Sequence, residues 1–193
     1  MKFHRITCLL LIFTLPCFAA DAKQKIYTNK EYGFSLSYPE YLTTMDKFQQ
    51  FYHLPVSWSA DATTKKLPGQ KLIISIPVAS VHNKADGYYF FAAVRVGVST
   101  NPKDVKDCYK LPEFLHESKA TRVTINNQTY IVAAVLSAGM SQYSMGKTYR
   151  TVHDNKCYSL EYVDTGIDNA LSRKLSQHYL PVMMGIVNSF RFD

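Results

Sequence analysis

EYGFSLSYPEYL, Glu31 to Leu42, is the stretch whose reading decides the fold. Phe34, Leu36 and Tyr38 fall on one parity and Ser35 and Ser37 on the other, the alternation of a strand with one buried face. Pro39 has no N–H to give a ladder and marks the strand's end. A short aromatic strand that stops at a proline reads as the opening strand of an α+β domain, with its apolar face turned to a core.

Upstream lies a processing segment. Lys2 and Arg5 form a basic start, Cys8 to Leu15 (CLLLIFTL) is an apolar run, and small residues follow in CFAADA. Spanning a bilayer as a helix takes about 20 apolar residues, so this run is too short to be an anchor. Residues 1–20 therefore read as a signal peptide, with cleavage after Ala19, Ala20 or Ala22. Cys17 raises a lipoprotein reading, against which Pro16 stands where that reading needs a small residue. Residues 21–193 then form a single domain, long enough to bury a substantial core. Loss of Lys2 and Arg5 lowers the formal net charge from +7 to +5. The cations are scattered rather than run together, which fits a solvated basic surface or a weak contact with an anionic one.

Two cysteines, Cys108 and Cys157, remain after processing, an even pair in a chain sent to an oxidising compartment. A Cys108–Cys157 disulfide is expected. Its closed loop of about 50 residues corresponds to roughly 4 kcal/mol in the chain-entropy account.

Downstream, residues 40–70 are poorly periodic, with a short helix predicted near Met45–Tyr52 and a surface loop over Ser59–Gln70. Lys71–Val81 is a strand in which Pro77 points to a bulge or an edge. Tyr88–Ser99 places an apolar residue at every second position without a break and reads as an interior strand, with Arg95 on its other parity. Asn101 and Pro102 open a short helix, as N-cap and first residue. Two hairpins follow, Ala120–Ile125 with Thr129–Ser137, and Gln142–His153 with Cys157–Val163. The period then changes: Ile167, Leu171, Leu175 and Tyr179 define one helix face, Thr165 and Asp168 suggest a capping box, and Pro181 predicts a kink or a second segment.

Patterns that carry chemistry fail on context. Ser144-Met145-Gly146-Lys147 spells S-x-x-K, but inside a predicted strand and without partner motifs. Gly146-Lys147-Thr148 lacks the upstream glycine of a phosphate loop. The later histidines, His53, His82, His116, His153 and His178, form no close pair; His153 and Cys157 make at most half a tetrahedral metal site. Met140 and Met145 read as packing residues, and Glu113, Glu117 and Glu161 form no local carboxylate pair. Aromatics that alternate inward do not make a nucleic-acid platform.

The opening Tyr27…Glu31-Tyr32-Gly33-Phe34-Ser35-Leu36-Ser37-Tyr38-Pro39 resembles the PsbP-like family, as do the tyrosine-rich hairpin Lys147–Tyr162 and the ending Ile186-Val187-Asn188-Ser189-Phe190-Arg191-Phe192. Glu40-Tyr41-Leu42 departs from the glycine and tryptophan that usually follow the proline. The resemblance implies an α+β fold, an α-β-α sandwich around a central, mostly antiparallel sheet with a long C-terminal helix packed on it. It implies a protein that binds or stabilises partners, and it carries over no catalytic residue.

The expectation is thus a non-enzymatic periplasmic or secreted binding or accessory protein, with another exported or envelope protein as partner. No cofactor, metal-ligand set or nucleic-acid partner is specified. A small exported hydrolase with a site assembled from distant residues is the alternative, and a secreted inhibitor or host-facing factor is a third reading. Lys147, Arg150 and His153, with the loop Ser59–Gln70, are the expected contact residues.

Overall fold

The computed structural model describes residues 23–46, 57–59, 67–85, 87–110 and 120–193. The order of elements is β1 (Gln24–Asn29), β2 (Phe34–Pro39), β3 (Gln70–Asn83), β4 (Tyr88–Ser99), α1 (Pro102–Asp107), β5 (Thr121–Ile125), β6 (Gln128–Gly139), β7 (Gln142–His153), β8 (Lys156–Ile167), α2 (Ala170–Ser189) and β9 (Arg191–Phe192). The fold is α+β. An antiparallel six-stranded sheet runs β3-β4-β8-β7-β6-β5, and a three-stranded sheet runs β1-β2-β9.

The opening stretch is β2, the middle strand of the smaller sheet. Phe34 and Leu36 are fully buried and Tyr38 nearly so. They join Val94, Val96, Val98, Tyr158, Leu160, Met183, Ile186, Val187 and Phe190 in one core. Phe34 stacks on Phe190 at 5.1 Å between ring centroids, and the Tyr158 hydroxyl donates to the Tyr32 carbonyl. Asp193 N donates to Gly33 O beside the β2–β9 pair, which holds the segment after α2 against the start of β2.

Strand β4 is interior and buried on both faces, as its unbroken apolar parity implies. Pro77 in β3 sits at a register shift against β4, the bulge expected from its missing N–H. Asn101 caps α1 by accepting from Lys103 N. Each hairpin turn is tighter than the sequence suggested: Asn126-Asn127 and Asp154-Asn155 are two-residue turns with both residues at positive φ, the primed geometry that matches strand twist.

The last helix corrects two expectations. β8 continues through Ile167, so Thr165 is a strand residue donating to Tyr143 O, and Asn169 is the N-cap, accepting from Ser172 N. Leu171 is consequently exposed, while Ser172, Met183, Ile186 and Val187 face inward. Pro181 lies inside a continuous helix rather than opening a second one. The helix predicted from Met45 is not seen at its start, where Met45 bridges Ser75; the rest of that segment and most of the loop Ser59–Gln70 fall outside the described residues. Cleavage at residues 19–22 falls outside them as well.

Candidate functional site

Strand pairing places polar side chains in rows across the sheet face opposite α2. Arg95 of β4, Glu161 of β8 and Thr148 of β7 form one row; Gly97, Ser159 and Arg150 form the next; Ser99, Cys157 and Val152 form a third. Residues directly opposite on one face are side-chain neighbours, so register alone brings these groups together.

Glu161 is the hub. Its Oε1 accepts from Ser59 Oγ at 2.9 Å and from Ser159 Oγ at 2.8 Å, and its Oε2 lies 3.8 Å from Arg95 Nε. Arg150 Nη2 donates to Ser59 Oγ at 3.1 Å, and its guanidinium lies over the Trp58 ring, 5.5 Å from the centroid. Arg95 Nη2 donates to Ser57 O at 2.6 Å. Burial pulls the Arg95 guanidinium below its usual pKa, and the Glu161 charge opposes that shift. Trp58 closes the site: its backbone runs so near Gly97 that a Cβ there would overlap its carbonyl.

The hydroxyl of Ser59, beside a carboxylate and an arginine, has the parts of an activated nucleophile but not its access. Ser59, Arg95, Ser159 and Glu161 are each at most 1% exposed. A reacting atom needs a position about 3 Å from nucleophile and oxyanion donors together, and the Trp58 backbone lies directly against Gly97 in the neighbouring row. What the arrangement does is fasten Ser57–Ser59 to the sheet.

A second buried acid lies on the α2 side. Asp164 accepts from Ser176 Oγ at 2.9 Å, and burial pushes its carboxyl above the usual range against the lowering pull of Tyr143 and Ser176. Burial and the same carboxylate raise the Tyr143 phenol strongly. Asp164 is 3% exposed and Tyr143 6%.

The concavity open to solvent is elsewhere. A groove of about 560 Å³ runs between the β1–β2 hairpin and α2, with Pro39, Tyr41, Pro181, Val182 and Ile186 among its walls. Ser189 fastens its floor, donating to Ser37 O and accepting from Ser37 N. Among the described residues that line it there is no histidine, cysteine, carboxylate or cation.

The expected residues divide. Cys108 and Cys157 are disulfide-bonded, buried against Trp58, Val105 and Val152, and tie α1 to β8. That bond also removes Cys157 as a metal ligand beside His153. Lys147 is exposed. His153 is partly exposed, stacked on Phe192 at 3.9 Å and edge-on to Tyr158. Arg150 requires a correction: it is 7% exposed and faces Trp58, because even-numbered residues of β7 point away from α2. The three therefore do not form one surface. Of Arg95, Glu161, Ser59 and Trp58, the sequence offered only Ser59 as a contact residue, at the start of the loop Ser59–Gln70; the available signal was that Glu161 shares the parity of Cys157 within β8. Met140 and Met145 are exposed rather than packed.

No family model matches the sequence, and no curated protein matches it. Among solved structures, the chain is similar to one from Bacteroides thetaiotaomicron, with a TM-score of 0.46 and 11% identity over 88% of this chain and 48% of that one. It thus spans about half the length of that structure. It is similar to LpqN, involved in cell envelope biogenesis of Mycobacterium tuberculosis, with a TM-score of 0.35 and 9% identity over 78% of this chain and 91% of that one. Cyanobacterial PsbP from Synechocystis is also among the structures it is similar to, with a TM-score of 0.44 and 12% identity over 91% of this chain and 96% of that one.

Proposed function

We propose that this chain is a non-enzymatic, exported binding or accessory protein whose partner is another exported or envelope protein. The architecture in this reading is a PsbP-like α-β-α sandwich, with α2 as one outer layer and α1 on the opposite face. One observation carries the functional reading. Among the described residues, two groupings with the parts for acid–base or nucleophilic chemistry, Ser59 with Glu161 and Asp164 with Tyr143, are buried in the interior, whereas the described walls of the groove between the β1–β2 hairpin and α2 carry no such group. Binding sites are concave and largely apolar, and catalysis adds convergent titratable groups.

The test is affinity capture from periplasmic or envelope extract, using chain processed in an exporting host. An intact mass lacking residues 1–20 is expected, together with specific retention of a protein. Retention of Met1–Ala19 would overturn the processed, exported form. The hydrolase reading, favoured by the short Ser59–Glu161 contact, predicts instead an ester or amide substrate whose turnover is lost in a folded Ser59→Ala variant. Such turnover would replace the binding reading.

A further inference from the structure

The β6–β7 turn differs from the two-residue turns of the β5–β6 and β7–β8 hairpins. Asn126-Asn127 and Asp154-Asn155 place residues that tolerate positive φ where the turn demands it. The third turn places Met140 at φ 49° and Ser141 at φ 63°. A methionine gains nothing locally from this backbone, and its side chain is 82% exposed. Strained backbone with an apolar side chain held out to solvent is an outlier that points to a contact.

Its surroundings extend the apolar tip. Leu136, 63% exposed, and Met145, 39% exposed, are directly opposite each other in the β6–β7 ladder, just behind the turn. Both lie on the face that carries Tyr149, whose hydroxyl donates to Met184 of α2. Lys147, two residues along from Met145, projects from that same face and is exposed. Asp168 N donates to Ser141 O, which brings the start of α2 and its exposed Arg173 and Lys174 beside the turn. Among the described residues, Asp168 at this end is engaged by Arg173.

We propose that this hairpin tip docks on a bilayer bearing anionic lipids, with Met140, Leu136 and Met145 entering the headgroup–acyl boundary and Lys147, Arg173 and Lys174 facing the phosphates. A protruding apolar tip flanked by cations matches the two terms of interfacial binding, apolar burial and attraction to anionic headgroups. The formal charge of the processed chain, +5 after +7 loses Lys2 and Arg5, acts in the same direction. The inference rests on the binding reading above and names a surface and a partner chemistry for it.

The experiment is co-sedimentation of processed chain with phosphatidylcholine vesicles, with and without phosphatidylglycerol, at low and high salt. Binding is expected only with the anionic lipid and is weakened by salt. Met140→Asn, which suits the turn and keeps the fold, lowers the partition coefficient by roughly tenfold, and Lys147→Glu lowers it by a similar factor. Thermal unfolding of each variant confirms that the fold is kept. Binding to neutral vesicles alone, or binding unchanged in Met140→Asn, overturns the proposal. Absence of vesicle binding with an envelope protein still captured by wild type but not by Met140→Asn makes the tip a protein contact; it overturns the lipid inference and leaves the binding reading standing. Absence of both overturns both.

Discussion

Strand β4 sends Val94, Val96 and Val98 toward β2 and α2, and Arg95, Gly97 and Ser99 to the opposite side, toward Trp58. Both faces are buried, yet they are held by different physics. The first is an apolar core, closed by the ring stack of Phe34 on Phe190 and by Met183, Ile186 and Val187 of α2. Its stabilisation scales with area removed from water and has no directional requirement. On the second face, hydrogen bonds and charges centred on Glu161 secure Ser57–Ser59, and a disulfide secures α1. Buried charge is stable only while each partner stays in place. The apolar face therefore tolerates side-chain adjustment, while the polar face is all-or-none. The short segment Ser57–Ser59 is anchored to the sheet by directional bonds together with the buried Trp58 ring.

The largest effects come from breaking one face at a time. Phe34→Ala leaves a cavity at the centre of the apolar face and costs about 3–5 kcal/mol in denaturant unfolding. Any loss of partner capture then follows from unfolding and is recovered under conditions where the variant is folded. Full stability with lost capture would instead make the opening strand a contact site.

Glu161→Ala on the polar face strands buried arginine and serine groups, for a cost of about 3–5 kcal/mol. Glu161→Gln sharpens the comparison, since it keeps an acceptor for Ser59 and Ser159 while removing the charge beside Arg95. A cost close to that of the alanine variant assigns the effect to charge; a much smaller one assigns it to hydrogen bonding.

Replacing Cys108 and Cys157 by serine removes the staple on the same face. The expected loss is about 2–4 kcal/mol, most of it expressed through the unfolded chain. Two free thiols in non-reduced protein from its own compartment would contradict the bond.

A smaller effect separates the faces by pH. The Asp164 carboxyl has its pKa raised in the folded state, chiefly by burial, so the native protein takes up a proton at a higher pH than the unfolded chain. Stability relative to Asp164→Asn must then rise as pH falls from neutrality through the raised value, and level off below the ordinary value of 3.8. Paired unfolding curves at several pH values measure it, and parallel curves would refute it. Smallest of all, Met140→Asn relieves the turn and stabilises by about 1 kcal/mol or less in a thermal melt.

Much was decided locally and was legible. The alternation in Phe34–Tyr38 and Tyr88–Ser99, the asparagine turns and the Asn101-Pro102 helix start depend on neighbours a few residues away, which the sequence displays directly. An even cysteine pair, in a chain whose start reads as an export signal, was enough to expect the Cys108–Cys157 bond. The sequence also determined that Glu161 shares the parity of Cys157 within one strand, while the β4–β8 register brought Arg95 to the same face. Only the tertiary structure decided that this parity faces another buried layer, because alternation distinguishes two faces without saying what covers each. It decided likewise that Arg150 points inward and Lys147 outward, that Leu171 is exposed because β8 runs on before α2 starts, and that Met140 and Met145 stand out to solvent. Those outcomes depend on strand register and on where each helix lands, and these are settled by contacts between residues far apart in the chain.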